Sequence, residues 1–503
     1  MTERMTSADV TFLHRETRTA PQHVGELAVF AEPPDGFDYD RLVRLLEERI
    51  SLAPRYRQKV VTVPGHLANP LWVDDPNFDI TYHVRRSALP RPGTDAQLLE
   101  FCARIQSRRL DRARPLWEMY LVEGLSGGRV AIVTKTHEAM IGEPDGIDIA
   151  QVILDAAPAP RRTVEAIWMP GSEPGAVELV RDAVVELARR PIALADTARA
   201  AARDVGTTVS RVGALAGGVV SLGTALLRPS TPSPLSVELG EQRRLAVART
   251  SLQDYRLVRD AFGGTVNDAM LAVVSGALRG WLLSRAAPMR AATSVRALVP
   301  VSVTDGRLTP SAEGGDPGDG ASQDGPRPST VRPLLVDLPV GEPDPVLRLA
   351  QLRYAMATHG NSGRAVGAGT LASLSGFAPP TLHVLGARAT AGLTRRMFGL
   401  VVTNVPGPQV PLYAAGARMT ETFPIVPLSP GQALSIAVSS YDGGVYYGVN
   451  ADRDAVPDVA VLAELVEESL AELVTAAGGG PEAQLTAGGP AGRRRPRTRE
   501  RPS

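Results

Sequence analysis

The sequence predicts an α/β protein of more than one domain, on three observations. The first is length: 503 residues exceed what one hydrophobic core usually organises, so two domains are expected. The second is a change of period around His137. The apolar run Val130-Ala131-Ile132-Val133 reads as a buried strand, and after a loop the apolar residues from Ile147 to Leu154 recur at helical spacing. The third is that strand-like and helix-like stretches alternate in both halves, the pattern of α/β architecture.

Composition narrows the function classes. The chain is 44% hydrophobic and 21% charged, with 54 Lys+Arg against 54 Asp+Glu. Zero net charge argues against a general nucleic-acid binder. The single cysteine, Cys102, excludes an internal disulfide framework, fits a reducing compartment and reads as a small core residue. The opening stretch MTERMTSADVTFLHRET carries no apolar core of a signal peptide. The most apolar continuous stretch, Val212 to Leu227, is short and glycine-rich; it suits contact with a bilayer surface better than a span.

In chain order, Ser7 is placed to cap a short helix whose Val10 and Leu13 face inward. Leu27 to Phe30 reads as a strand, and Asp40 to Ile50 as an amphipathic helix through Leu42, Leu45, Leu46 and Ile50. Phe78 to Val84 alternates as a strand does, with His83 as a structural histidine near its end. Pro115-Leu116-Trp117 reads as a proline-fixed turn with a buried tryptophan. Ser172 to Arg190 predicts a helix with Val177, Val180, Val184 and Leu187 on its buried face.

Leu252 to Phe262 predicts a helix ended by Gly263-Gly264. Asn267-Asp268 then caps an apolar helix, Ala269 to Leu283. Ser294 to Val303 reads as a buried strand, while Asp305 to Ser329 is too rich in Gly, Pro, Ser and Asp to order itself. Val401 to Pro408 reads as a strand ending in a turn, with Gly407 supplying positive φ. Asp442-Gly443-Gly444 marks a hairpin, and Asp452 to Leu473 a final helix. The domains expected are 1–160 and 236–475, joined by a helical crossover, 161–235, and followed by a disordered basic tail, 476–503, with six arginines in 493–501. That tail suits either an anionic membrane surface or plain solvation.

Several of these stretches resemble the landmarks of the bacterial wax ester synthase/diacylglycerol acyltransferase family. Ser7 to Leu13 is similar to its S-x-x-D-x-x-F-L, His23-Val24-Gly25 to its M-H-V-G, and Pro115-Leu116-Trp117 to its P-L-W. Lys135, His137, Ala139, Gly146 and Asp148 match its K-V-H-H-A-x-x-D-G-x-x-G-x-D. Asn267-Asp268 matches its N-D, and Asn404-Val405-Pro406-Gly407-Pro408 its N-V-P-G-P. The sequence departs from the pattern at three places. Glu138 stands where the family has its second histidine, Gly142-Glu143 where it has Asp-Gly, and Pro328 to Arg332 where it has G-N-x-x-S.

The resemblance implies the chloramphenicol acetyltransferase-like fold of CoA-dependent acyltransferases: two α/β domains with a substrate channel between them. It implies transfer from acyl-CoA to diacylglycerol or a long-chain alcohol, with no metal or redox cofactor. It places Glu138 or His137 as the base, Asn267, Asp268, Asn404, Pro406 and Gly407 at the substrate, and Pro115, Leu116, Trp117, Gly146 and Asp148 in the motif's frame. The expected location is cytoplasmic or peripheral at the inner membrane or lipid inclusions. The other function class left open is a catalytically impaired homologue that keeps the channel to bind lipid or a partner enzyme.

Overall fold

The computed structural model describes residues 2–32, 37–141, 148–161, 168–185, 235–304, 307–308, 330–362 and 398–478. Among these, a mixed seven-stranded sheet forms the first half. Its order is Val84–Ala88, Trp117–Glu123, Val130–His137, His23–Phe30, Ala417–Ile425, Tyr413–Ala414, Leu154–Asp155. A second seven-stranded sheet runs Arg307–Leu308, Val295–Thr304, Leu400–Pro406, Leu434–Tyr441, Gly444–Asp452, Arg243–Ser251, with Thr330–Leu338 also paired to Val295–Thr304. A small sheet joins Thr2–Arg4, Leu71–Asp74 and Gln58–Val61.

Strand alternation sets the two faces of the first sheet. Leu27, Val29, Tyr120 and Val133 pack against Leu98, Cys102 and Ile105 of the helix Asp95–Gln106. Phe30, Met119, Leu121 and Ile132 pack on the other face against Leu42, Leu45 and Leu46 of Tyr39–Arg49 and against Ile149–Ile153. The second sheet is covered by Val266–Ser284, Pro345–Ser362 and Val459–Ala476. The hairpin at Asp442-Gly443 forms as its residues require, with φ of 45° and 82°.

The expected division at 236–475 is not followed in space, because Tyr413–Ala414 and Ala417–Ile425 complete the first sheet. The junction is tight. Tyr441 Oη accepts the N–H of Leu412 at 2.8 Å and donates to the carbonyl of Met419 at 3.0 Å.

Four local expectations are corrected. Thr6, not Ser7, caps the first helix, in a reciprocal box with Asp9. Phe78 to Val84 is not one strand: the Asp79 carboxylate accepts the N–H of Thr81 at 2.9 Å and starts a helical turn, Ile80–His83. In the helix at 176–185 the buried residues are Leu179 and Ala183, against Val63 and Ala68, while Val177 is 85% exposed. Burial there is set by what the helix lands on, which periodicity does not encode. Of the 305–329 stretch, Arg307–Leu308 pair with Val303–Thr304; 305–306, 309–329, most of the 161–235 crossover and 479–503 lie outside the described residues.

No single helix among the described residues is long and apolar enough to cross a membrane. Leu252–Phe262 and Val266–Ser284 pass that test only as a pair bent by 103°, and the second uses its apolar residues in the core.

Candidate active site around Glu138

The strand Val130–His137 is buried along its whole length and ends in a single 3-10 turn, Glu138–Met140. The turn is held from three sides. His137 N–H bonds Leu116 O and Glu138 N–H bonds Gln22 O, each at 3.0 Å, and Ala139 and Met140 join the same core as Val10 and Leu13 of the helix Ser7–Arg15.

His137 and Glu138 are adjacent but differently placed. His137 is 1% exposed and lies on the sheet face shared by Lys135 and His23, its direct cross-strand partner. Its Nδ1 accepts the N–H of Ala139 at 3.1 Å. A neutral ring accepting at Nδ1 carries its proton on Nε2, so no lone pair is left for proton abstraction. Burial first, then the Arg112 cation, push its pKa down to about 3. His137 therefore holds the turn and is not placed as a base.

Glu138 keeps partial solvent access although it lies deep in the protein. Its carboxylate has no hydrogen-bond or ion-pair partner among the described residues. Desolvation pushes its pKa up to about 7, opposed by the Arg15 cation at the end of the N-terminal helix. A carboxyl poised near neutrality and reachable from solvent has the properties of a general base.

Lys135 is fully buried and donates to the carbonyls of Ile105 at 3.0 Å and Arg108 at 2.5 Å. It fastens the C-terminal end of Asp95–Gln106 to the strand that carries the site. Leu116 and Trp117 are fully buried; Trp117 Nε1–H bonds Tyr56 O at 2.8 Å, and its ring stacks on His83. Pro115, also buried, accepts the N–H of Trp117 at 2.9 Å. All three are framework. Asp148 caps Ile149–Ile153, accepting the N–H of Ala150 at 3.1 Å, and burial raises its pKa. Gly146, like Gly142 and Glu143, lies outside the described residues.

The second half brings Asn267 and Asn404 together: Asn404 Nδ2 donates to Asn267 Oδ1 at 3.1 Å, and both are half-buried. Asp268 serves the helix, in a reciprocal box with Thr265, which is the actual cap. Pro406 is exposed. Gly407 does not adopt positive φ; a Cβ there would lie 2.3 Å from the carbonyl of Ser440, so close approach explains this glycine. No hydrogen bond or ion pair joins the Asn pair to Glu138 among the described residues. A cleft of about 790 Å³ lies between Asp95–Gln106, Arg243–Ser251 and Val459–Ala476; neither His137 nor Glu138 lines it.

Tyr56 belongs to Pro54-Arg55-Tyr56-Arg57, which resembles the family's P-R-F/Y-R, whereas Glu26 has no such signal of its own. Tyr56 Oη accepts the N–H of Ile149 at 3.0 Å, anchoring the far end of the loop. Glu26 is half-buried, with its pKa pushed up to about 7 by burial and then by the Asp148 charge. Its only mark in the sequence is a lone carboxylate in strand phase with Ala28 and Phe30.

Residues 5–270 match the family model described as the wax ester synthase/diacylglycerol acyltransferase catalytic domain, and 330–474 match the WS/DGAT C-terminal domain. A protein of Mycobacterium tuberculosis (strain ATCC 25618 / H37Rv) named as the probable diacylglycerol O-acyltransferase tgs2 is 34% identical over 480 residues, covering 93% of this chain and 98% of that one. Another from that strain, named as the probable diacylglycerol O-acyltransferase tgs3, is 42% identical over 260 residues, 52% of this chain and 96% of that one. Among solved structures, a wax ester synthase/diacylglycerol acyltransferase from Marinobacter aquaeolei VT8 aligns with a TM-score of 0.64 at 24% identity, covering 95% of this chain and 100% of that chain. The first condensation domain of the CDA synthetase aligns at 0.51 with 14% identity, covering 94% and 98%. These structural likenesses show the fold, that of the chloramphenicol acetyltransferase-like acyltransferases. With both family regions matched in order, and a relative matched over nearly its whole length, the chain belongs to the wax ester synthase/diacylglycerol acyltransferase family.

Proposed function

We infer that the chain transfers an acyl group from acyl-CoA to the hydroxyl of diacylglycerol or a long-chain alcohol, and that Glu138 is the base. One observation carries the assignment: Glu138 is reachable from solvent and has no partner among the described residues, while the His137 ring is sealed and committed to Ala139. Glu138 removes the hydroxyl proton, and the alkoxide oxygen attacks the thioester carbonyl. Collapse of the tetrahedral intermediate expels the CoA thiolate, which recovers a proton from Glu138. A thioester is already activated, so the reaction as proposed calls on no metal or redox cofactor.

Peripheral contact with a bilayer or lipid-inclusion surface is part of the same reading. Glyceride acceptors reside there, and the six arginines of 493–501 supply attraction to an anionic surface.

The test is acceptor-dependent release of CoA thiol from palmitoyl-CoA with dioleoylglycerol or hexadecanol. Glu138→Gln is expected to lower the rate roughly 10²-fold or more while His137→Asn mainly lowers stability. Full activity in folded Glu138→Gln would remove the base assignment. A parent chain that binds acyl-CoA but releases no thiol with either acceptor would favour the impaired, lipid-binding homologue.

A further inference from the structure

The cleft between Asp95–Gln106, Arg243–Ser251 and Val459–Ala476, about 790 Å³, has the volume of a site for a cofactor-sized ligand. Its contacts give it a direction. At one end Arg243 N–H donates to Ser107 Oγ at 2.9 Å, and the Arg244 side chain donates to the carbonyl of Pro457 at 2.8 Å. Toward the other end Arg249 N–H donates to Glu467 Oε1 at 3.1 Å. The lining between is apolar, with Leu99, Ala103, Leu245, Val247 and Ala463.

The first end is cationic, lined by Arg104, Arg108, Arg243, Arg244 and Arg453. Arg243 is committed to the carbonyls of Gly240, Gln242 and Thr19, and Arg453 to Gln242 Oε1. Arg104 and Arg108 are exposed, four residues apart at the end of Asp95–Gln106, and their guanidinium groups have no hydrogen bond or ion pair among the described residues. They are not needed to neutralise the helix C-terminus, because the Lys135 ammonium already holds the carbonyls of Ile105 and Arg108. The acids of the cleft leave this end open to an anion. Glu241 is drawn off by Arg18 at 3.0 Å, Glu464 and Glu467 lie toward the far end, and Glu100 sits a turn back from Arg104. Planar guanidinium donors beside an apolar lining match a phosphorylated group that also carries a flat ring.

This end also lies by Glu138. The Arg108 carbonyl is bonded by Lys135, three residues before Glu138, roughly 10 Å along an extended chain. One short segment, Thr19 to Gln22, accepts from the Arg243 side chain at its first residue and from Glu138 N–H at its last.

We propose that this end of the cleft binds the nucleotide of the acyl-CoA donor, with Arg104 and Arg108 on its phosphates and the pantetheine arm leading from there to Glu138. This rests on the acyltransfer reading above, and it is read by binding as well as by turnover.

The experiment is equilibrium binding of adenosine 3′,5′-bisphosphate and of inorganic phosphate to the full chain, as parent, as Arg104→Gln/Arg108→Gln and as Arg104→Lys/Arg108→Lys. The glutamine pair is expected to weaken the bisphosphate about tenfold or more, as the loss of charge-assisted hydrogen bonds requires. The lysine pair, which keeps both charges, is expected to retain most of the binding. A parent that binds no bisphosphate, or a glutamine pair that binds it as the parent does, would overturn the proposal. So would inorganic phosphate bound as tightly as the bisphosphate, which would mark a simple anion patch. In thiol release, the advantage of palmitoyl-CoA over S-palmitoyl-pantetheine, which lacks the nucleotide, is expected to shrink about tenfold in the glutamine pair. An equal fall with both donors would mean a distorted site and also overturn the proposal. If the advantage persists in full, the inference fails and the acyltransferase stands. If no donor releases thiol while the bisphosphate still binds through the two arginines, the acyltransfer reading fails and the phosphate site stands.

Discussion

A carboxylate in place of an imidazole changes what the surroundings must do. Imidazole is neutral when ready to accept a proton, so burial favours its basic form; a carboxylate must be charged, and burial opposes that. Here burial pushes Glu138 up to about 7 while Arg15 pulls it down. The other charged groups on the packed elements are committed: Arg112 pairs with Glu16, Asp9 with the cap at Thr6, and His137 stays neutral. His14, also on the helix, makes contacts of its own. The kcat/KM profile is therefore expected to rise with pH through about 7, as Glu138 loses its proton. Arg15→Gln is expected to move that limb upward by roughly half to one pH unit, with Arg15→Lys holding it in place. A limb unmoved by Arg15→Gln would show that another group titrates. Stability gives an independent reading. Below the usual carboxylate range both folded and unfolded states hold the Glu138 proton. As pH rises from about 4.5 to about 7, the unfolded state releases this proton while the folded state holds it, so the fold loses stability, and the loss is complete above about 7. Glu138→Gln is thus expected to stabilise the fold by about 1–3 kcal/mol at pH 8 and to change nothing at pH 4, as chemical denaturation would show.

At the scale of elements, the site depends on how strand ends are held. Leu400–Pro406 runs parallel to Leu434–Tyr441 and carries Asn404 to Asn267. It continues into Gly407, where a Cβ would meet the Ser440 carbonyl at 2.3 Å. Gly407→Ala is expected to cost roughly 1–3 kcal/mol through this overlap, read by chemical denaturation. A variant as stable as the parent would mean that the turn gives way freely. The same glycine shows what the sequence conveys. Its presence was legible, but its reason was not, since close approach to Ser440 depends on a strand partner more than thirty residues away. Strands and helices with strong periodicity, such as Val130–His137 and Val266–Ser284, were legible from their own residues. The Phe78 to Val84 stretch was misread because an aspartate cap outweighed alternation, and the helix at 176–185 because its landing surface chose another face. Glu138 and His137 were legible as alternatives. What separates them is three-dimensional: His137 is sealed and bonded by Ala139 at Nδ1, while Glu138 keeps partial solvent access.

Across the whole molecule, chain order and spatial order differ in a way that couples the halves. Ala417–Ile425 pairs with His23–Phe30, with one register shift between Met419 and Glu421, and then leads into the Leu434–Tyr441 strand of the other sheet. The second half cannot unfold without pulling this strand from the first, which would leave the backbone groups of His23–Phe30 unpaired beside the site strand. The contact between sheets is close as well: Asn450 Nδ2 donates to Val426 O at 2.8 Å, and a Cβ on Gly448 would fall 1.8 Å from the carbonyl of Pro424. Two sheets in a chain of this length would ordinarily melt as separate units. The shared strand predicts instead one cooperative transition for the described body, with calorimetric and van't Hoff enthalpies in agreement. Gly448→Val is expected to break this coupling. The isopropyl group cannot share space with Pro424 O, so the sheets must part along Ala417–Ile425, and the single transition should divide into two, the first-half one lower. Acyl transfer should fall with it, since His23–Phe30, which would lose Ala417–Ile425, pairs directly with the strand that leads into Glu138. A parent that already melts in two steps, or a Gly448→Val chain that keeps one step and full activity, would show that the strand exchange is geometric only and carries no mechanical coupling.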